Sequence, residues 1–172
     1  PPGKGHTMTS PQSELERIRG YLQAQAQKPI DDLVARVQEG VDDLHAAARA
    51  TPAERLELRL EGEEWSPMDC LRHIVGSNLQ VCEAIQSVAH TGALPSSGPG
   101  EPTGGRDNLL SAHEAAIASL YEAVRSADPG AHLDIKWRHP AFGDLNWREW
   151  FIFLRIHCRD HARQLPALAG GS

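Results

Sequence analysis

From Gly92 to Gly105 the chain reads GALPSSGPGEPTGG, fourteen residues with three prolines and five glycines. No helix or central strand can pass through such a run, because proline removes a backbone donor and glycine weakens either element. Outside it, apolar residues recur at spacings of three and four, the period of a helix with one buried face. An all-α chain is therefore expected, split by one connection much longer than the roughly two to eight residues that join neighbouring helices. Such a connection either crosses the length of a bundle or forms a lid.

Four main helices follow from the pattern. The first spans about residues 31–50, with Leu33, Val37, Val41 and Leu44 on one stripe. The second begins at WSPMD, where Ser66 is a good N-cap, Pro67 fits the first helical position and Asp69 lies in the first turn, and it runs to about His90. The third covers about 107–127. For the fourth, Asn146 and Glu149 stand three apart as in a capping box, and the helix continues to about Leu165. Residues 12–27 read as a short additional helix. Residues 51–64 are ambiguous, and 131–145 could hold a brief hairpin although Pro140 and Gly143 favour irregular backbone. The simplest packing is a four-helix bundle.

Composition narrows the function classes. At 172 residues and 40% apolar content, one core is expected, in a single domain over residues 11–168. Residues 1–10 read as a residual tag or a disordered N-terminus, so His6 is left aside, and 169–172 as a frayed end. A net charge of −6 argues against a nucleic-acid partner. No apolar run is long enough for a membrane span, and three cysteines are too few for a disulfide framework. A cytoplasmic protein with a small-molecule substrate is expected, and a homodimer through one bundle face is compatible with the pattern.

The last helix carries the chemistry. Trp147, Trp150, Leu154, His157, His161 and Leu165 share one face, so two imidazoles four residues apart replace apolar residues on the inward stripe. Side chains at that spacing can converge on one ion. His73 lies near the core stripe of the second helix. Helix rise puts it about 10 Å inside that helix, and puts His161 about 7 Å from the end of the fourth. These depths coincide if the two helices run antiparallel, and the long connection allows that in an up-down-down-up bundle. Three neutral imidazoles suit zinc, nickel, iron or copper better than calcium or magnesium, with zinc or nickel favoured, and leave an open position at which water or a thiol would be acidified. Hydrolysis by activated water and attack by a small thiol on a carbon electrophile both follow, as does an ion that only stabilises the fold. No further side chain is assigned a catalytic role.

Other groups have plainer readings. Asp69 and Asp160 could support ligand histidines, or merely cap a helix and face solvent. Cys70 and Cys158 could approach an ion, or pack as small apolar groups. His45 is expected at a flanking or surface position, His113 outside the site and His139 in a structural turn. Trp65, Trp147 and Trp150 are expected at the bundle end and core, with Trp137 as a candidate for the mouth. Arg148, Arg155, Arg159 and Arg163 lie away from the stripe, the last three as a solvated ladder with local ion pairs.

Segment 65–74, WSPMDCLRHI, and segment 139–165, HPAFGDLNWREWFIFLRIHCRDHARQL, together resemble the opening and closing motifs of the DinB-like (YfiT-like) metalloenzyme family. The resemblance extends over roughly residues 30–167 through the loop and helix layout. It implies a four-helix bundle and a divalent metal, zinc, nickel or iron, held by His73, His157 and His161. It also implies kinship with metal-dependent thiol S-transferases that use a low-molecular-weight thiol, the reaction expected ahead of hydrolysis or a non-catalytic stress role.

Overall fold

The computed structural model describes residues 10–171, so the expectation for the first nine residues lies outside the described part. Five helices and one hairpin follow in order: α1 (Pro11–Gln25), α2 (Ile30–Ala50), α3 (Pro67–Thr91), α4 (Arg106–Ser126), β1 (Trp137–His139), β2 (Gly143–Leu145) and α5 (Trp147–Leu168). A single 3-10 turn, Ala53–Arg55, interrupts the connection from α2 to α3. Helices α2 to α5 form the bundle, and α1 packs against α5 through the fully buried Leu22.

Cross-helix contacts fix the directions. Arg155 and Arg159 of α5 reach Glu39 and Asp43 of α2, so these two rise together. Asn78 pairs with His113 and His90 with the carbonyl of Ala123, so α3 and α4 are also parallel to one another. Tyr121 meets Gln38 while His113 meets His45, making α4 antiparallel to α2. The order is therefore up-down-down-up. Residues 92–105 return the chain along the bundle from the end of α3 to the start of α4, which two parallel neighbours require. The crossover packs on α3 at Gly76, where an added Cβ would lie 3.6 Å from the Pro102 ring.

Local chemistry explains the boundaries. Both capping boxes form: Ser66 with Asp69 at α3, and Asn146 with Glu149 at α5. Ser10 caps α1. Helix α3 ends on Gly92, whose φ of 73° is the left-handed conformation that glycine adopts without a Cβ clash. Helix α5 carries Pro166 in its last turn, where few intrahelical bonds remain to be lost. The ambiguous stretch before α5 is a true hairpin, pairing Trp137 with Leu145 and His139 with Gly143. His139 Nδ1 accepts the N–H groups of Ala141 and Phe142, so the histidine closes the turn that Pro140 would otherwise leave irregular.

The burial of two polar side chains corrects the sequence expectation. Arg148 is buried rather than outward: its guanidinium binds the carbonyls of Ala26, Lys28 and Pro129, tying two connections to the base of α5. His45 is likewise in the core, with 4% of its surface exposed, hydrogen-bonded to the fully buried His113. Among the described residues no helix is long and apolar enough to cross a membrane.

Candidate metal centre

Helix α3 brings His73 down beside the end of α5, where His157 and His161 lie one turn apart. The ring centroids are 4.7 Å apart for His157 and His161, 5.3 Å for His73 and His161, and 6.1 Å for His73 and His157. One nitrogen from each ring lies within 4.8 Å of the other two. Nitrogens bonded to one tetrahedral zinc at about 2.1 Å stand about 3.4 Å apart, and the Nε2 atoms of His157 and His161 are at 3.2 Å. His73 is exposed and can turn to close the remaining gap.

Hydrogen bonds at the far side of each ring decide where its proton sits. His157 Nδ1 is 3.0 Å from Asn78 Oδ1, and His161 Nδ1 is 2.8 Å from Gln164 Oε1. With the amide oxygens turned toward the rings, this arrangement favours the proton on each Nδ1 and a lone pair on each inward-facing Nε2. Two such lone pairs repel at this separation unless a cation lies between them. Burial disfavours the alternative of a shared proton: it pushes His157 down to about 3, with the neighbouring rings adding to the effect, and lowers His161 as well. The donor set thus fits a divalent transition metal.

The surroundings are apolar on one side and open on the other. Phe153 stacks on His157 with centroids 5.2 Å apart, and Trp65 lies 4.8 Å from His73. A cleft of about 380 Å3 adjoins His73, lined by Arg72, Ser77, Gln80 and, from the long connection, Glu101 and Pro102. The long connection thus both crosses the bundle and contributes one wall of this cleft. Trp137 does not line the mouth; it stacks on Trp150, two turns before His157.

The carboxylates near the site have other work. Asp69 accepts from the Ser66 backbone N–H and pairs with Arg59 and Arg72, while Asp160 pairs with Arg163 at the surface. Asn78 and Gln164 take the supporting roles instead. Neither was singled out from the sequence for this. The signals were a fully buried Asn four residues after Ile74 on the apolar stripe of α3, and a Gln one turn after His161. Cys70 and Cys158 stand behind the rings: Cys70 Sγ is 3.5 Å from His161 Nδ1, and Cys158 Sγ accepts from Asn78 Nδ2. Neither thiol faces the Nε2 pair.

Comparison with known proteins shows the family and the fold. The sequence profile of the DinB superfamily matches residues 36–165, a span that contains all three histidines. The chain belongs to the DinB superfamily. Among solved structures it is similar to that described as the crystal structure of TT2238, a four-helix bundle protein, with a TM-score of 0.58 and 23% identity. That match covers 81% of this DinB-superfamily chain and 99% of the other, and supports the shared fold. No curated protein matches the chain.

Proposed function

We propose that this DinB-superfamily protein is a divalent-metal-dependent enzyme that transfers a low-molecular-weight thiol to small carbon electrophiles, with His73, His157 and His161 as the ligands of zinc or nickel. The observation that carries the reading is the pair of inward-facing Nε2 atoms 3.2 Å apart, with the third histidine on an open cleft. Three protein ligands and a solvent-facing side are the pattern of a reactive site rather than a closed structural one. The motif resemblance to thiol S-transferases supports the choice of nucleophile.

When bound, a divalent ion would supply the positive charge that favours loss of a thiol's proton. The chain does the rest. Asn78 and Gln164 hold two rings in the binding tautomer, and Phe153 and Trp65 keep the inner side dry. The cleft beside His73 admits the two reactants. In the transfer itself the thiol proton passes to solvent, a sulfur–carbon bond forms, and the carbon–leaving-group bond breaks with its electron pair going to the leaving group.

Cobalt-substituted protein tests the reading. Titration with cysteine or 2-mercaptoethanol should produce a sulfur-to-cobalt charge-transfer band, and zinc-loaded protein should accelerate thiol consumption of 1-chloro-2,4-dinitrobenzene. Hydrolysis of a nitrophenyl ester with no thiol dependence would replace transfer by hydrolysis. Stoichiometric metal with neither band nor turnover would leave the ion a structural role.

A further inference from the structure

A continuous line of buried polar groups leaves the three-histidine centre on the side away from the cleft and crosses the bundle. His157 Nδ1 meets Asn78 Oδ1 at 3.0 Å, and Asn78 Nδ2 meets His113 Nε2 at 2.8 Å. His113 Nδ1 meets His45 Nε2 at 2.8 Å, and His45 Nδ1 lies 3.7 Å from a Glu114 carboxylate oxygen. Asn78 and His113 are fully buried and His45 nearly so. Glu114 stands at the rim of a separate cleft of about 390 Å3 between α2 and α4.

We infer that Asn78, His113 and His45 are positioning residues that fix His157 as its Nδ1–H tautomer and so keep Nε2 free for a metal. The logic is directional. Each neutral imidazole has one N–H, and each link must pair a donor with an acceptor. The negative charge of Glu114, 3.7 Å from His45 Nδ1, favours the proton on that nitrogen and leaves Nε2 to accept from His113. His113 then donates from Nδ1 and accepts at Nε2, which selects the NH2 side of Asn78. The amide oxygen of Asn78 is left for His157. A second amide hydrogen, given to Cys158 Sγ at 3.4 Å, holds the same orientation. Reversing the chain would put the proton of His157 on the nitrogen that must bind. Leaving a link unmade would strand a fully buried donor or acceptor, which a folded core tolerates badly.

This inference concerns the ligand set of the proposed function, but its first test needs no metal. Long-range proton–nitrogen NMR of metal-free protein should show His157 and His113 each as a single Nδ1–H tautomer. Asn78→Leu should turn His157 into a mixture and weaken zinc binding by about 10–100-fold, the usual effect of losing such support. Asn78→Asp, which keeps the acceptor, should retain the tautomer, and His113→Phe should loosen it by freeing the amide to turn. A wild-type His157 carrying its proton on Nε2 would overturn the inference even if no variant folds. So would a folded Asn78→Leu protein with unchanged tautomer and zinc affinity. Wild-type protein that binds no zinc would instead count against the metal reading, while the tautomer result still stands on its own.

Discussion

His157 and His161 aim their Nε2 atoms at one point from 3.2 Å apart, one helical turn separating them on α5. The amide oxygens of Asn78 and Gln164 lie at the Nδ1 atoms and favour the protons on that other side of the rings. The pair is thus arranged for a cation, and His157→Ala should abolish it. Wild-type protein equilibrated with zinc and desalted is expected to retain about one ion per chain. His157→Ala should retain none while keeping its helical circular dichroism. Equal metal content in the two proteins would place the ion elsewhere.

Gln164 touches no metal, yet its loss should be felt at the site. Gln164→Leu keeps the volume and removes the acceptor for His161 Nδ1, freeing that ring to rotate and to move its proton. Zinc affinity by chelator competition should fall about 10–100-fold, and Gln164→Glu should restore most of it. Equal affinity in Gln164→Leu would show that packing against Cys70 alone holds the ring.

Much of this arrangement was readable before any coordinates. The helical period located all four bundle helices, and the Gly- and Pro-rich run at 92–105 allowed the parallel pairing of α3 and α4 that brings His73 to the end of α5. Periodicity says which face is buried but not what a buried polar group will meet. His45 adjoins Leu44 on the α2 stripe and looked peripheral; only the partner His113, sixty-eight residues on, makes its burial tolerable. The same holds for Arg148, whose three carbonyl acceptors come from turns with no repeating pattern. For Asp69 the sequence allowed both a capping role and support of His73, and the capping role it favoured is the one formed, with Ser66.

The three thiols should be inert in the folded protein. Burial pushes Cys70, Cys82 and Cys158 each up to about 12, so almost none is thiolate at pH 8. Ellman's reagent is expected to react slowly with native protein and with all three thiols in urea. Rapid native labelling of Cys70, identified by mass spectrometry, would reopen its candidacy as a ligand.

The α3 capping box should add an acid-sensitive component to stability. Backbone hydrogen bonding from Ser66 holds the Asp69 carboxyl below its ordinary range, helped by Arg59. A depressed folded-state value stabilises the protein above the unfolded value, about pH 4, and that stability is lost as pH falls through the folded value. Asp69→Asn should therefore cost about 0.3–1.5 kcal/mol at pH 7, and the gap should shrink toward pH 2. A gap independent of pH would assign the effect to side-chain shape rather than charge.

One substitution should act with opposite signs at two helical glycines. In general, alanine in a helix interior is more favourable than glycine by about 1 kcal/mol. At Gly20 on α1 an added Cβ meets nothing within 4 Å, so Gly20→Ala should stabilise by up to about that amount. At Gly40 on α2 the same atom would fall 2.8 Å from the carbonyl oxygen of Arg155 and 3.0 Å from its Cα. Those neighbours are backbone of α5, so relief requires the two helices to move apart. Overpacking of this kind costs about 1–3 kcal/mol, enough to offset the propensity gain and in most of that range to exceed it. Because α5 carries His157 and His161, the shift should also loosen zinc binding. Urea midpoints check the stability pair: a rise for Gly20→Ala with a fall for Gly40→Ala is expected, and a rise at both would mean that α2 and α5 are not packed this closely.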